Sequence, residues 1–172
     1  MAWTQWVREI PDFPLPGVLF RDVLPVMANP EAWHEVLEAL EAQLRPLQPD
    51  AIFAPEARGF LIAAPLADRL HAGLVPVRKA GKLPAPVLQE AYSLEYGENQ
   101  LEVEDDRTLA GKRVIIVDDV LATGGTVAAT ARLASRLEAH VVAFAFLIEL
   151  KGLKGRQKLD AGVPVLSLLV QP

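Results

Sequence analysis

Apolar residues along the chain fall into short unbroken runs and longer stretches of helical spacing. Between Asn29 and Pro46, Trp33, Val36, Leu37, Leu40 and Leu44 recur on one helical face. Asn29-Pro30-Glu31 supplies the start: a side chain able to cap, a proline at the first helical position and an acid near the positive end of the dipole. Pro46 ends the run. Ala51-Ile52-Phe53-Ala54 reads as a short strand that gives way to Pro55-Glu56-Ala57-Arg58-Gly59. A second helix is expected from Gly59 or Phe60 to about His71, with Pro65 acceptable only close to its first turns. Leu74 to Arg78 reads as the next strand, where Pro76 suggests an edge or a bulge.

Residues 79–100 break this rhythm. Gly, Pro and charged positions lead into a pattern that fits a hairpin, from Ala91-Tyr92-Ser93-Leu94-Glu95 around Tyr96-Gly97-Glu98-Asn99 to Gln100-Leu101-Glu102-Val103. The stretch is too long for an ordinary connection and is of the kind that serves as a functional lid. Lys112 to Val117 is nearly all apolar, as expected of a strand covered on both faces of a parallel sheet. Thr126 to Leu137 reads as a helix, and Val141 to Ile148 as another buried strand. Strands alternating with helices imply an α/β fold: an open, mainly parallel twisted sheet flanked by helices, with right-handed crossovers. The chain shows no internal repeat or low-complexity tract, and 172 residues suit one domain over 1–172.

Composition narrows the chemistry. Apolar residues make 51% and charged residues 23% of the chain, a globular balance. Cysteine is absent, which excludes disulfides, a thiolate nucleophile and sulfur-ligated metal. His34, His71 and His140 are far apart, with no pairing that suggests a zinc site. The first residues do not form a signal peptide, and Val141–Ile148 is too short to cross a bilayer, so no membrane partner and a cytoplasmic location are expected. A formal charge of −5 argues against a nucleic-acid partner, since such binding neutralises phosphates. Only two asparagines (Asn29 and Asn99), no cysteine and 14 prolines lean towards a heat-stable protein.

The sharpest chemical signal lies where the Val114-Ile115-Ile116-Val117 strand delivers Asp118 and Asp119 to its carboxyl end, the end at which open parallel sheets bind ligands. Ala122-Thr123-Gly124-Gly125-Thr126 follows and leads directly into a helix. Small residues and two glycines let successive backbone N–H groups face one concave spot, and the helix N-terminus adds free donors. Thr123 and Thr126 can contribute hydroxyls; no lysine follows the glycines, so this is not a nucleotide P-loop. A phosphate site beside two carboxylates calls for a sugar phosphate, its vicinal hydroxyls donating to Asp118 and Asp119. The competing view, a plain strand-to-helix turn, leaves two adjacent acids after a buried strand without a partner.

Val114–Thr126 resembles the signature of the type I phosphoribosyltransferases, which use 5-phosphoribosyl 1-pyrophosphate with Mg²⁺. Some transcriptional regulators keep the same signature, but this chain has neither an extra helical domain nor a basic patch. The rest of the chain resembles the adenine phosphoribosyltransferases nearly end to end. The matching blocks are Pro11-Asp12-Phe13-Pro14 with Pro16–Asp22, Glu56–Phe60, Val77–Pro84, Tyr92–Gly97 and Leu153-Lys154-Gly155-Arg156.

The resemblance implies a type I phosphoribosyltransferase fold with a mobile hairpin lid (about 80–103) and a small hood (about 1–30) over the base pocket. It implies a purine salvage reaction in which adenine and 5-phosphoribosyl 1-pyrophosphate give AMP and pyrophosphate. Asp118, Asp119 and the Ala122–Thr126 turn (Ala122, Thr123, Gly124, Gly125, Thr126) would hold the ribose 5-phosphate. Leu19, Phe20 and Arg21 would form the adenine pocket, Phe20 stacking on the purine and Leu150 closing the opposite wall. Taken alone, Phe20 reads as a core aromatic.

Ala57 and Arg58 would face the pyrophosphate, in a loop that in this family can carry a non-proline cis peptide; Pro55 departs from the aliphatic residue more usual there. Type I enzymes are usually dimers in which a basic residue reaches the partner's pyrophosphate, so a homodimer is expected, with Lys79 the candidate and Arg78 the reserve. Lys82 equally reads as a solvated basic edge. Glu95 would meet the purine N7 as a general acid and Tyr96 would help close the lid, whereas Glu90, Glu98 and Glu102 read as solvent-exposed hairpin glutamates. Mg²⁺ would be held mainly by pyrophosphate and ribose oxygens and water, with no dedicated protein ligands. Another purine, such as hypoxanthine, guanine or xanthine, remains an alternative acceptor.

Overall fold

The computed structural model describes residues 1–94 and 97–172; Glu95 and Tyr96, singled out above, lie outside the described residues. A hairpin of β1 (Arg8–Pro11) and β2 (Leu19–Asp22) opens the chain, followed by α1 (Leu24–Ala28) and α2 (Pro30–Leu44). Then come β3 (Ala51–Pro55), α3 (Arg58–Leu70), β4 (Gly73–Lys79), the hairpin β5 (Val87–Leu94) and β6 (Gly97–Glu104), β7 (Arg113–Leu121), α4 (Gly125–Arg136), β8 (His140–Leu150) and β9 (Val165–Gln171). Among the described residues the main sheet has seven strands in the order β5-β6-β4-β3-β7-β8-β9. From β4 to β9 the pairings are parallel, and β5 and β6 are antiparallel additions.

The expected helix after Asn29 forms, and the Asn29 side chain accepts from the Ala32 N–H at 2.8 Å. Alternation along the central strands divides the core into two layers. Ile52, Ala54, Ile115, Val117, Ala143 and Ala145 face α2 and α3. Phe53, Ile116, Phe144 and Phe146 face the smaller surface of α4, which offers Val127, Ala129, Leu133 and Ala134. Large side chains from the sheet thus fill the layer whose helix is small, as close packing requires.

Several expectations need correction. Pro65 lies well inside α3 rather than in its first turns. The carbonyl of Leu61, which loses its helical partner, belongs to an exposed residue where water can take its place. β7 does not stop at Val117 but continues through Asp118 and Asp119 to Leu121, because pairing with β8 holds the backbone extended whatever the side chains. The hairpin register pairs Leu94 with Gly97, and Gly97, Glu98 and Asn99 belong to β6 rather than to a turn. The N-terminal hairpin and β9 carried too little periodicity to be read in advance.

Pro76 fulfils its edge expectation in a local sense. β6 joins β4 only at Arg78 and Lys79. Val77 turns its carbonyl to β3, accepting from the Glu56 N–H at 2.9 Å, so the alternating Pro76 presents its donorless nitrogen to the open side.

Glu102 is not a solvent-exposed hairpin glutamate. It is 1% exposed and accepts from the Lys82 and Leu83 N–H groups, each at 2.7 Å, and from Gln89 Nε2 at 3.2 Å. Glu90 is ion-paired with Arg132 and Arg136, while Glu98 is exposed as expected. Burial alone would raise the Glu102 pKa, but the N–H groups of Gly81 and Leu83, the Gln89 amide and the Lys82 N–H outweigh it and hold the carboxyl below its ordinary range. A depressed folded-state pKa stabilises the protein above the unfolded pKa, and that stability is lost as pH falls through the folded value. Glu102→Gln should therefore lower the melting temperature at pH 7 by roughly 2–6 °C. The gap between variant and wild type should close as the pH is taken below 4, which melting curves at stepped pH will check.

Candidate active site

The chain leaves β3 towards β4 on one side and leaves β7 towards β8 and β9 on the other, so the strand order reverses between β3 and β7. Ligands of open parallel sheets bind in the crevice at such a reversal, beyond the carboxyl ends of the strands. Here the β3 end carries Glu56-Ala57-Arg58 and the β7 end carries Asp118 through Thr126. A Cβ on Gly59 would lie 3.1 Å from Asp118 Oδ1 and 3.2 Å from the Val117 carbonyl. A larger residue would have to push the Asp118 carboxylate or the end of β7 aside by a few tenths of an ångström, so glycine suits this close start of α3.

Asp119 is buried and forms an ion pair with Arg58, whose Nε donates to Oδ2. Asp118 is half-buried and accepts from the Asp119 N–H at 2.9 Å. Loss of water around Asp118, then the neighbouring charge of Asp119, pushes its carboxyl well above the ordinary range.

Beyond the acids, Gly124 adopts φ +78° as the residue before α4, and Gly125 opens the helix. Asp118, Val120 and Ala122 through Val127 enclose a cavity of about 80 Å³, the scale of one small anion. It lies at the helix N-terminus, where backbone donors are unpaired. A larger cavity of about 780 Å³ lies over Lys151, Lys154, Gln157 and Asp160. Chemistry rather than size selects the smaller one, which has the donors and the adjoining acids.

The β1–β2 hairpin stands over this crevice. Phe20 is half-buried rather than a core aromatic, with Phe13 edge-on at 5.1 Å and the Arg58 guanidinium 5.2 Å from its centroid. Asp22 anchors the hairpin by accepting from Arg8 and from the Leu24 N–H. Arg21 donates to the side chain of Gln171, whose backbone pairs with Leu150. The expected base residues Leu19, Phe20, Arg21 and Leu150 therefore converge on one side of the crevice, with Leu19 exposed.

In the loop after β3, the one expected to face the pyrophosphate, the Glu56–Ala57 peptide is cis. Pro55 is buried at the end of β3, and Ala57 precedes the first residue of α3. Glu56 has a role the sequence did not reveal: it accepts from the Lys79 N–H at 2.7 Å and pairs with Arg78 at 3.3 Å and Lys82 at 3.4 Å. Burial opposes its ionisation, but the Lys79 N–H, Lys82 and Arg78 hold it below the ordinary range. Glu56 thus engages two of the three basic candidates through their side chains, whereas Lys79 has no ion pair among the described residues. The only hint in the sequence was the position of Glu56 within a matched block.

Comparison with known proteins finds relatives along nearly the whole chain. The sequence profile of the phosphoribosyl transferase domain matches residues 28–167. An adenine phosphoribosyltransferase of Synechococcus is 50% identical over 163 residues, covering 95% of this chain and 95% of that protein. The crystal structure of adenine phosphoribosyltransferase from Thermoanaerobacter pseudethanolicus superposes with a TM-score of 0.95 at 49% identity, covering 99% of this chain and 98% of that one. The Saccharomyces cerevisiae enzyme, solved with an imino-altritol bisphosphate and adenine, gives 0.92 at 40% identity, covering 97% and 96%.

The raised Asp118 pKa has a measurable cost. A carboxyl whose folded pKa lies above its unfolded one loses stability as pH rises from the unfolded to the folded value. Asp118→Asn should thus melt higher than wild type at pH 7, by roughly 2–4 °C, the shift of about 1 kcal/mol in a domain of this size. The advantage should shrink towards pH 4, and an unchanged or lower melting temperature at pH 7 would remove the basis for it.

Proposed function

This chain belongs to the adenine phosphoribosyltransferase family, and from that premise we infer that it transfers the 5-phosphoribosyl group of 5-phosphoribosyl 1-pyrophosphate to N9 of adenine, giving AMP and pyrophosphate in purine salvage. The observation that carries this reading is the convergence, at the β3–β7 reversal, of an anion-sized nest, two acids and a half-buried ring.

The roles assigned here combine the family resemblance with the arrangement around the β3–β7 reversal. In our assignment the N–H groups and hydroxyls of Ala122 to Thr126 take the 5-phosphate, and Asp118 and Asp119 accept from the ribose hydroxyls. Phe20 stacks on adenine opposite Leu150, and backbone groups of Leu19 and Arg21 read its edge. As N9 bonds to the anomeric carbon, the bond from that carbon to the pyrophosphate oxygen breaks and positive character builds on the ribose, as in glycoside cleavage. The Ala57 and Arg58 backbone, the Arg58 guanidinium and Lys79 receive the leaving charge, with Lys79 acting across a homodimer. Glu95 meets N7 and shares a proton there while the lid closes with Tyr96 and excludes water. We treat 1–172 as one domain, with residues 1–30 as hood and 80–103 as lid.

Magnesium fits this site only as a companion of the substrate. Among the described residues no three metal-ligating side chains cluster, and Mg²⁺ is commonly bound through one or two carboxylates, phosphates and water. When bound, it would neutralise charge on the pyrophosphate. Among the described residues no helix is long and apolar enough to cross a membrane.

Two measurements test the reading. In steady-state assays with 5-phosphoribosyl 1-pyrophosphate and Mg²⁺, adenine should be consumed at least about 100-fold more efficiently than hypoxanthine, guanine or xanthine, because a site built for the 6-amino group leaves polar groups unpaired against a 6-oxo purine; comparable rates with a 6-oxo purine would reassign the acceptor. Glu95→Ala should lower kcat by about 100-fold or more while 5-phosphoribosyl 1-pyrophosphate binding stays near wild type, and unaltered turnover would remove its acid role.

A further inference from the structure

The nest at the start of α4 is built on a second loop. Gly124 faces the backbone of Gly155 so closely that a Cβ on Gly124 would lie 2.5 Å from the Gly155 carbonyl oxygen. In the opposite direction a Cβ on Gly155 would lie 2.2 Å from the Ala122 carbonyl oxygen and 3.0 Å from the Gly124 nitrogen. The two backbones therefore touch with no side chain between them, and Gly155 is buried. Gly124 needs glycine for its positive φ as well, whereas Gly155 is not among the residues of positive φ. At Gly155 only the contact demands glycine.

The residue after Gly155 is locked in place. Arg156 grips Glu149 with both edges of its fork, Nε donating to Oε1 at 2.9 Å and Nη2 to Oε2, and Nη1 reaches the Val165 carbonyl at 3.3 Å. Ser167 Oγ, on β9, donates to Glu149 Oε2 at 2.9 Å. Glu149 itself is 6% exposed. Its backbone on β8 is the register partner of Leu121, the last residue of β7 before the nest. A closed ring results: Leu121 beside Glu149, Glu149 bound to Arg156, Arg156 bonded to Gly155, and Gly155 against Gly124 and Ala122.

Such a ring has a clear physical use. Backbone donors bind an anion well only if they already converge, since ordering them on binding costs affinity. Arg156 neutralises Glu149, so the pair adds no net charge to the anion site and acts through shape. A bidentate guanidinium–carboxylate pair fixes orientation more tightly than a single contact.

We propose that Gly155, held by Glu149, Arg156 and Ser167, is a positioning residue of the 5-phosphate site, fixing the Ala122–Gly124 backbone from behind without touching the substrate. This rests on the reading of Ala122–Thr126 as the phosphate nest. Full-length Gly155→Ala, Ser167→Ala and Glu149→Gln should be compared with wild type for ribose 5-phosphate affinity by calorimetry, for KM of each substrate, for kcat and for melting temperature. Gly155→Ala should weaken ribose 5-phosphate binding and raise KM for 5-phosphoribosyl 1-pyrophosphate by about tenfold or more, with KM for adenine within about twofold of wild type. Ser167→Ala, which removes one bond and touches nothing in the nest, should move the same constants by about three- to fivefold.

A merely structural role would lower the melting temperature and the active fraction but leave these constants alone. Folded variants that bind ribose 5-phosphate within twofold of wild type, or that lose adenine and 5-phosphoribosyl 1-pyrophosphate affinity equally, would overturn the proposal. If Gly155→Ala does not fold, Ser167→Ala and Glu149→Gln decide by the same criterion. Wild type that fails to bind ribose 5-phosphate would instead refute the nest reading on which the proposal stands.

Discussion

Where β3 and β7 end side by side, Gly59 comes so near Asp118 that a methyl group would press on both its carboxylate and the Val117 carbonyl. That contact sets the distance between the two halves of the crevice. It brings the first residue of α3, Arg58, within reach of Asp119 and over the face of Phe20. The guanidinium thus links the end of β7, through Asp119, to the ring of Phe20 on the N-terminal hairpin. If α3 stood further from β7, these parts would remain on the same sheet edge but would no longer meet.

Around this centre the chain repeatedly uses carboxylates to hold loops that have too little apolar surface to pack. Asp22 fixes the β1–β2 hairpin, Glu56 the basic edge, Glu102 the turn over Gly81–Leu83 and Glu149 the segment behind the Ala122–Thr126 turn. Each accepts from backbone N–H groups, from arginine or from both, and each is held below its ordinary pKa. Asp118 is the exception, raised by loss of water and by the charge of Asp119 beside it. The supporting acids are held ionised by partners within the protein, and the one whose carboxyl is raised lies where the substrate hydroxyls are expected.

The sequence made legible whatever is encoded by neighbours in the chain: the Asn29 cap, the buried strand into Asp118 and Asp119, the glycine turn and the matched blocks. It did not reveal what depends on partners far along the chain. Glu102 occupies an ordinary alternating position of a hairpin strand, and only the fold brings Lys82 and Leu83, about 20 residues earlier, over it. The end of β7 was misplaced because polar residues close an apolar run, although pairing with β8 continues. Gly155 stood in a matched block with no assigned role, since its contact with Gly124 exists only in three dimensions. Glu95 and Tyr96 rest on family resemblance alone.

The one-sided edge of β4 has a consequence for how the molecule behaves among its own copies. Leu74 is exposed there, and among the described residues the strand has no neighbour on that side before Arg78. An uncovered strand with apolar side chains is a template on which another chain can add, the first step of sheet-to-sheet aggregation. Pro76 turns towards that open side a nitrogen that carries no hydrogen, so an incoming strand would find a gap in its ladder in the middle of the exposed stretch. The colloidal stability of a crowded solution of this protein thus depends in part on the absence of a single hydrogen atom.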